Sequence, residues 1–91
     1  MVHSGQKAVT TAGTAVQVDG NEAIRDYWLR AHANNTQDIY VGNDGSNDVS
    51  SATGLPLRPN DPPISFRGRL SDLYVDAEAN GEIICWLASL G

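Results

Sequence analysis

Apolar and polar residues alternate with a period of two along most of this chain, in short runs separated by clusters of Gly, Pro, Asn and Asp. Such a pattern predicts half-buried β-strands joined by turns. The strongest instance is C-terminal, where residues 73–77 and 82–88 flank Glu78-Ala79-Asn80-Gly81. Asn80-Gly81 between two apolar runs predicts a hairpin, since both central residues of a type I′ turn need positive φ. A two-residue loop pairs Ala77 with Ile84, Val75 with Trp86 and Leu73 with Ala88, and directly opposed residues share a face. Those six side chains form the expected core face. The other face pairs Tyr74 with Leu87, Asp76 with Cys85 and Glu78 with Ile83. Residues 83–87 are apolar at every position, more than a solvated face requires. Tyr74, Ile83, Cys85 and Leu87 are therefore the candidate interface.

Residues 2–6 are short, polar and contain Gly5, which reads as a mobile arm. Val9, Val16, Val18 and threonines 10, 11 and 14 surround Ala12-Gly13 and predict two short strands about a turn. Residues 24–33 fit two periods: Ile24, Tyr27, Trp28 and Ala31 suit a helix, whereas Tyr27, Leu29, Ala31 and Ala33 alternating with Asp26, Trp28, Arg30 and His32 suit a strand. The strand is preferred because its neighbours are strands, with residues 34–37 as a hairpin connection to Ile39-Tyr40-Val41. Residues 43–53 have no periodicity and predict a surface loop. Leu55-Pro56-Leu57 reads as an edge segment, because Pro56 cannot donate to a ladder. Residues 58–63 turn the chain before Ile64-Ser65-Phe66-Arg67 resumes alternation. Asp38-Ile39-Tyr40-Val41 and Asp72-Leu73-Tyr74-Val75 echo one another, which reads as two equivalent strand starts.

Ninety-one residues make a single domain with a small core. Cys85 stands alone, so no internal disulfide can form, and no Cys and His cluster could hold zinc. Eleven acidic against six basic residues leave a net charge of −5. Arg58, Arg67 and Arg69 do not form a basic stripe, which argues against nucleic acid as a partner. No basic and apolar leader follows Met1 and no apolar run approaches a membrane span, so no membrane partner is expected.

Chemistry has few candidates. His3 falls in the expected arm and His32 on a polar face, which leaves no assembled triad and no catalytic residue to name. Asn43, Asp44, Asn47 and Asp48 offer oxygen ligands without the spacing of a calcium loop, so neither a metal nor a cofactor is expected. Asn34-Asn35-Thr36 matches a glycosylation acceptor by chance. Trp86 is assigned to the core, Trp28 is open to a surface role, and Cys85 reads as a small buried hydrophobe.

Several segments resemble short all-β virion proteins from the structural modules of tailed bacteriophages: Ser4-Gly5-Gln6-Lys7-Ala8-Val9, Ala12-Gly13-Thr14-Ala15-Val16-Gln17, Asn35-Thr36-Gln37-Asp38-Ile39-Tyr40-Val41-Gly42, Ser51-Ala52-Thr53-Gly54-Leu55-Pro56-Leu57, Asp72-Leu73-Tyr74-Val75-Asp76-Ala77, Asn80-Gly81-Glu82 and Cys85-Trp86-Leu87-Ala88. The chain departs from that pattern at Asn60, where such proteins more often place Gly, and at Pro62-Pro63. The resemblance implies a capsid decoration or cement protein of the virion, assembled in the host cytoplasm. Its implied partners are the major capsid protein and itself, as a homotrimer. The alternative is a tail or fibre-tip module that holds a cell-surface glycan. The expected fold is all-β, a small single-domain β-sandwich or flattened barrel of about seven or eight short strands. Residues 1–6 are the flexible arm and 7–91 the β domain.

Overall fold

A computed structural model describes residues 2–43, 49 and 54–89, with backbone alone at 2, 3 and 89. Among the described residues there are eight strands: β1 Val2–Val9, β2 Val16–Gln17, β3 Arg25–Ala31, β4 Ile39–Gly42, β5 Leu55–Leu57, β6 Ile64–Gly68, β7 Tyr74–Ala77 and β8 Glu82–Ser89. They form two antiparallel four-stranded sheets, β1-β8-β3-β6 and β2-β7-β4-β5, which bear out the all-β expectation. A short 3-10 turn at Leu70–Asp72 precedes β7. Val9, Tyr27, Leu29, Leu70 and Ile84 of the first sheet and its connections meet Ile39, Val41, Leu57 and Val75 of the second in one buried core.

The ambiguous segment is a strand. In β3, Tyr27, Leu29 and Ala31 are buried while Asp26, Trp28 and Arg30 are exposed. A strand held between β8 and β6 buries every second residue, so the period of two prevails over the helical one. Tyr27 stacks on its cross-strand partner Phe66 at 5.4 Å between ring centroids. β5 is an edge strand, in keeping with Pro56. The 58–63 turn also forms, with Asp61 N–H donating to the Arg58 carbonyl at 3.1 Å. Asn60 has φ +72°, the left-handed region that Gly enters freely and Asn tolerates best among other residues.

The C-terminal hairpin does not form. The turn is present, with Gly81 at φ +84°, but it carries the chain from the second sheet to the first. Val75 lies opposite Val16 and Val41, and Trp86 lies opposite Gly5 and Leu29. Four residues between Ala77 and Glu82 can cross the ~10 Å between packed sheets, and each strand then finds two partners in place of one. The sidedness of each strand survives because alternation is a local property: Val75, Ala77, Ile84, Trp86 and Ala88 are all buried, with Leu73 partly so. One further expected turn and one expected hairpin behave alike. The Ala12-Gly13 turn, with Gly13 at φ +88°, leads from β1 to β2, and residues 34–37 lead from β3 to β4, each crossing between sheets. Among the described strands only β4 and β5 are both consecutive and paired.

The expected N-terminal arm is also replaced. Val2–Val9 forms one strand, in register with β8 from Val2 opposite Ser89 to Val9 opposite Glu82. Ladder hydrogen bonds use the backbone, so a polar segment can fill the open side of a long apolar strand. At the 43–53 loop, residues 44–48 and 50–53, with Asp44, Asn47 and Asp48, lie outside the described residues, while Val49 is buried.

Candidate functional site

The side chains of the first sheet that point away from the core make a continuous outer face. β8 presents Ile83, Cys85 and Leu87, and β3 presents Asp26, Trp28 and Arg30. Register aligns them in rows: Ser4, Leu87, Trp28 and Ser65 lie side by side, as do Gln6, Cys85 and Arg30. Trp28 and Leu87, directly opposed, are 40% and 44% exposed. Beside them a shallow depression of about 420 Å³ is walled by Trp28, Arg30, Pro63, Cys85 and Leu87. On the far side of Trp28 lies a second, of about 340 Å³, where the Arg67 guanidinium donates to the Asp26 carboxylate at 3.1 Å.

Of the four expected interface residues, Ile83, Cys85 and Leu87 share this face and Tyr74 does not. Tyr74 sits in β7, opposite Gln17 and Gly42 in the second sheet. Ile83 is half-covered, since Asn35 accepts from its N–H and donates to its carbonyl at 2.9 and 2.8 Å. The structure adds Trp28 and Arg30. The alternation in residues 25–31 already placed both on the polar side, and an exposed Trp among charged residues was the available signal.

Cys85 is half-buried rather than fully buried. Burial pushes its thiol up, against the Gln6 hydrogen bond and the Arg30 charge, so it stays protonated near neutral pH and is no activated nucleophile. His32 lies just past β3 and accepts the Asn34 N–H on Nδ1. Among the described residues no group of three or more His, Cys, Asp or Glu could hold a metal ion, and no helix is long and apolar enough to cross a membrane.

Two carboxylates are buried for structural ends. Glu82 accepts from Thr36 N–H and Oγ1–H, both at 3.0 Å, which ties the β3–β4 connection to β8. Asp76 accepts from Gly13 N–H at 3.0 Å and Ala77 N–H at 2.7 Å, so the β1–β2 connection lies over the second sheet. Beside it, the Tyr40 hydroxyl donates to Glu78. That bond, aided by burial and the negative charge of Glu78, pushes the phenol up to about 12. A proton held more tightly in the native protein than in the unfolded chain stabilises the fold fully below the ordinary tyrosine value of 10, and the contribution fades as pH rises through 12. A phenolate absorbance titration should therefore show a step near pH 12 that Tyr40→Phe removes.

No protein-family model, curated protein or solved structure matches this chain. Fold and surface together define a small β-sandwich domain that presents two exposed large apolar side chains, Trp28 and Leu87, directly opposed on a regular sheet face.

Proposed function

We propose that this chain is a structural protein of a bacteriophage virion, of the capsid decoration type, which acts through contact surfaces rather than an active site. Its partners are the major capsid protein and further copies of itself. The observation that carries this reading is the outer face of the first sheet, where Trp28 and Leu87 are presented together on a rigid ladder. Paired apolar side chains of this size on a flat surface suit protein contact. The sequence resemblance supplies the setting. Contact across subunit seams would stabilise the assembled shell by mass action, because the domain binds the lattice and not its free subunits.

Trp28 favours a second reading. An exposed indole between two depressions, one bearing the Asp26–Arg67 pair, could stack on a sugar ring while that pair bonds its hydroxyls, as a tail-tip glycan module would need. Copy number separates the two. Quantitative mass spectrometry of purified particles should find this chain in numbers that scale with the capsid subunits, and particles offered the Leu87→Asp protein should lose it. A handful of copies per particle would establish the tail reading instead, and normal occupancy by the variant would show that this face is not the contact.

A further inference from the structure

We infer that the outer face of the first sheet is occupied by a second copy of this chain, related by a two-fold axis that crosses the strands at Trp28 and Leu87. The inference takes from the proposed function only that this face is a contact surface. It replaces the expected three-fold clustering with a two-fold one.

Charge placement carries the argument. On β3, Asp26 lies two residues before Trp28 and Arg30 two residues after it, all three on one face and all exposed. A two-fold axis in the plane of contact, perpendicular to the strands at Trp28, brings Asp26 of each copy over Arg30 of the other. It also sets Trp28 and Leu87 against their own equivalents. An axis parallel to the strands would oppose Asp26 to Asp26 and Arg30 to Arg30, so the pattern is complementary to itself in one arrangement only.

The remaining charges agree. Asp26 already accepts from Arg67 within its own chain at 3.1 Å, and a carboxylate has capacity for a second guanidinium. Among the described residues Arg30 has no carboxylate within 4.0 Å. Although the chain carries eleven acidic residues, Asp26 is the one carboxylate that the described strands place on this face. Two copies of a protein of net charge −5 can therefore meet here without bringing their excess negative charge together. The result is an apolar centre with a charged rim, the usual anatomy of a specific interface.

Four strands about 4.8 Å apart and seven residues long give a face of about 450 Å² per copy, or about 900 Å² in all. That is below the size of most stable complexes, so a weak, reversible dimer is expected.

Sedimentation equilibrium of the purified chain from low micromolar to submillimolar concentration tests the inference. Wild type should be a monomer–dimer mixture. Arg30→Asp and Asp26→Arg, both exposed changes whose fold is checked by circular dichroism, should each raise the dissociation constant about tenfold or more. An equimolar mixture of the two should recover the wild-type constant, because each variant then meets its complement. The double variant Asp26→Arg with Arg30→Asp should dimerise like wild type because the exchange keeps each charge opposite its complement, whereas with an axis parallel to the strands the single variants would leave the constant unchanged. A wild type that stays monomeric, single variants that still dimerise, or a double variant that does not would each overturn the inference. None of these results depends on particles, so the capsid reading stands or falls separately by copy number.

Discussion

Gly5→Val is expected to destabilise the domain by about 2–3 kcal/mol, a fall in Tm of roughly 10–20 °C for a chain of this size. Gly5 lies opposite Trp86 across the β1–β8 ladder, and the indole lies over it. A Cβ at position 5 would stand 2.8 Å from Cη2 and 2.9 Å from Cε2 of that ring. Trp86 is buried and packed within the core, so the ring cannot step aside without disturbing its neighbours. Backbone propensity acts in the opposite sense: at an unconstrained strand position Val in place of Gly would stabilise by about 0.5–1 kcal/mol. The sign of the measured change, by thermal or urea unfolding, therefore decides whether β1 is docked under Trp86. A neutral or stabilising result would mean that residues 2–6 behave as the arm which their composition suggests. Restoring room with Trp86→Leu in the Gly5→Val background should recover part of the loss, since overpacking and cavity then offset one another.

Glu82→Ala should cost about 2 kcal/mol, with the damage concentrated in the β3–β4 connection. The carboxylate is buried at the start of β8 and accepts from both the N–H and the hydroxyl of Thr36. Alanine would leave those donors without a protein partner, although Thr36 is exposed enough for water to reach it, which keeps the cost below that of a sealed site. Glu82→Gln keeps an acceptor and should lose about half as much. Hydrogen exchange provides the local check. The Thr36 amide should exchange about tenfold faster or more in Glu82→Ala, while amides of β8 beyond Ile84 change only with global stability. Uniform acceleration would show that the carboxylate supports the whole sheet rather than the connection.

Glu82 and Gly5 have in common that nothing within a few residues of either announced its role. Alternation puts Glu82 on the side of Ile84 and Trp86 without naming a partner for its charge, and a Gly in a polar pentapeptide reads as slack. The residues that give them meaning, Thr36 and Trp86, are 46 and 81 positions away. The candidate surface was partly legible for the converse reason. Residues 83–87 are apolar at every position, and a central strand that alternates its faces must show some of them outward wherever it pairs. Tyr74 was grouped with them through one assumed pairing, and that grouping fell when the pairing did.

Legible from the residues alone were the all-β class, most strand positions, the inward or outward sense of β3, β7 and β8, the turns at Gly13, Asn60 and Gly81, and the edge position of Leu55–Leu57. These depend on alternation, on φ and on missing backbone donors, all of which are set within a few residues. Which strands meet was settled by packing across the whole chain. A tight turn between apolar runs closes a hairpin or passes between sheets with the same local geometry, and the choice depends on which strand offers the larger apolar surface and an open edge. Here β8 drew β1 and β3 from distant parts of the chain, β7 went to β2 and β4, and Leu87 came to lie beside Trp28 rather than Tyr74.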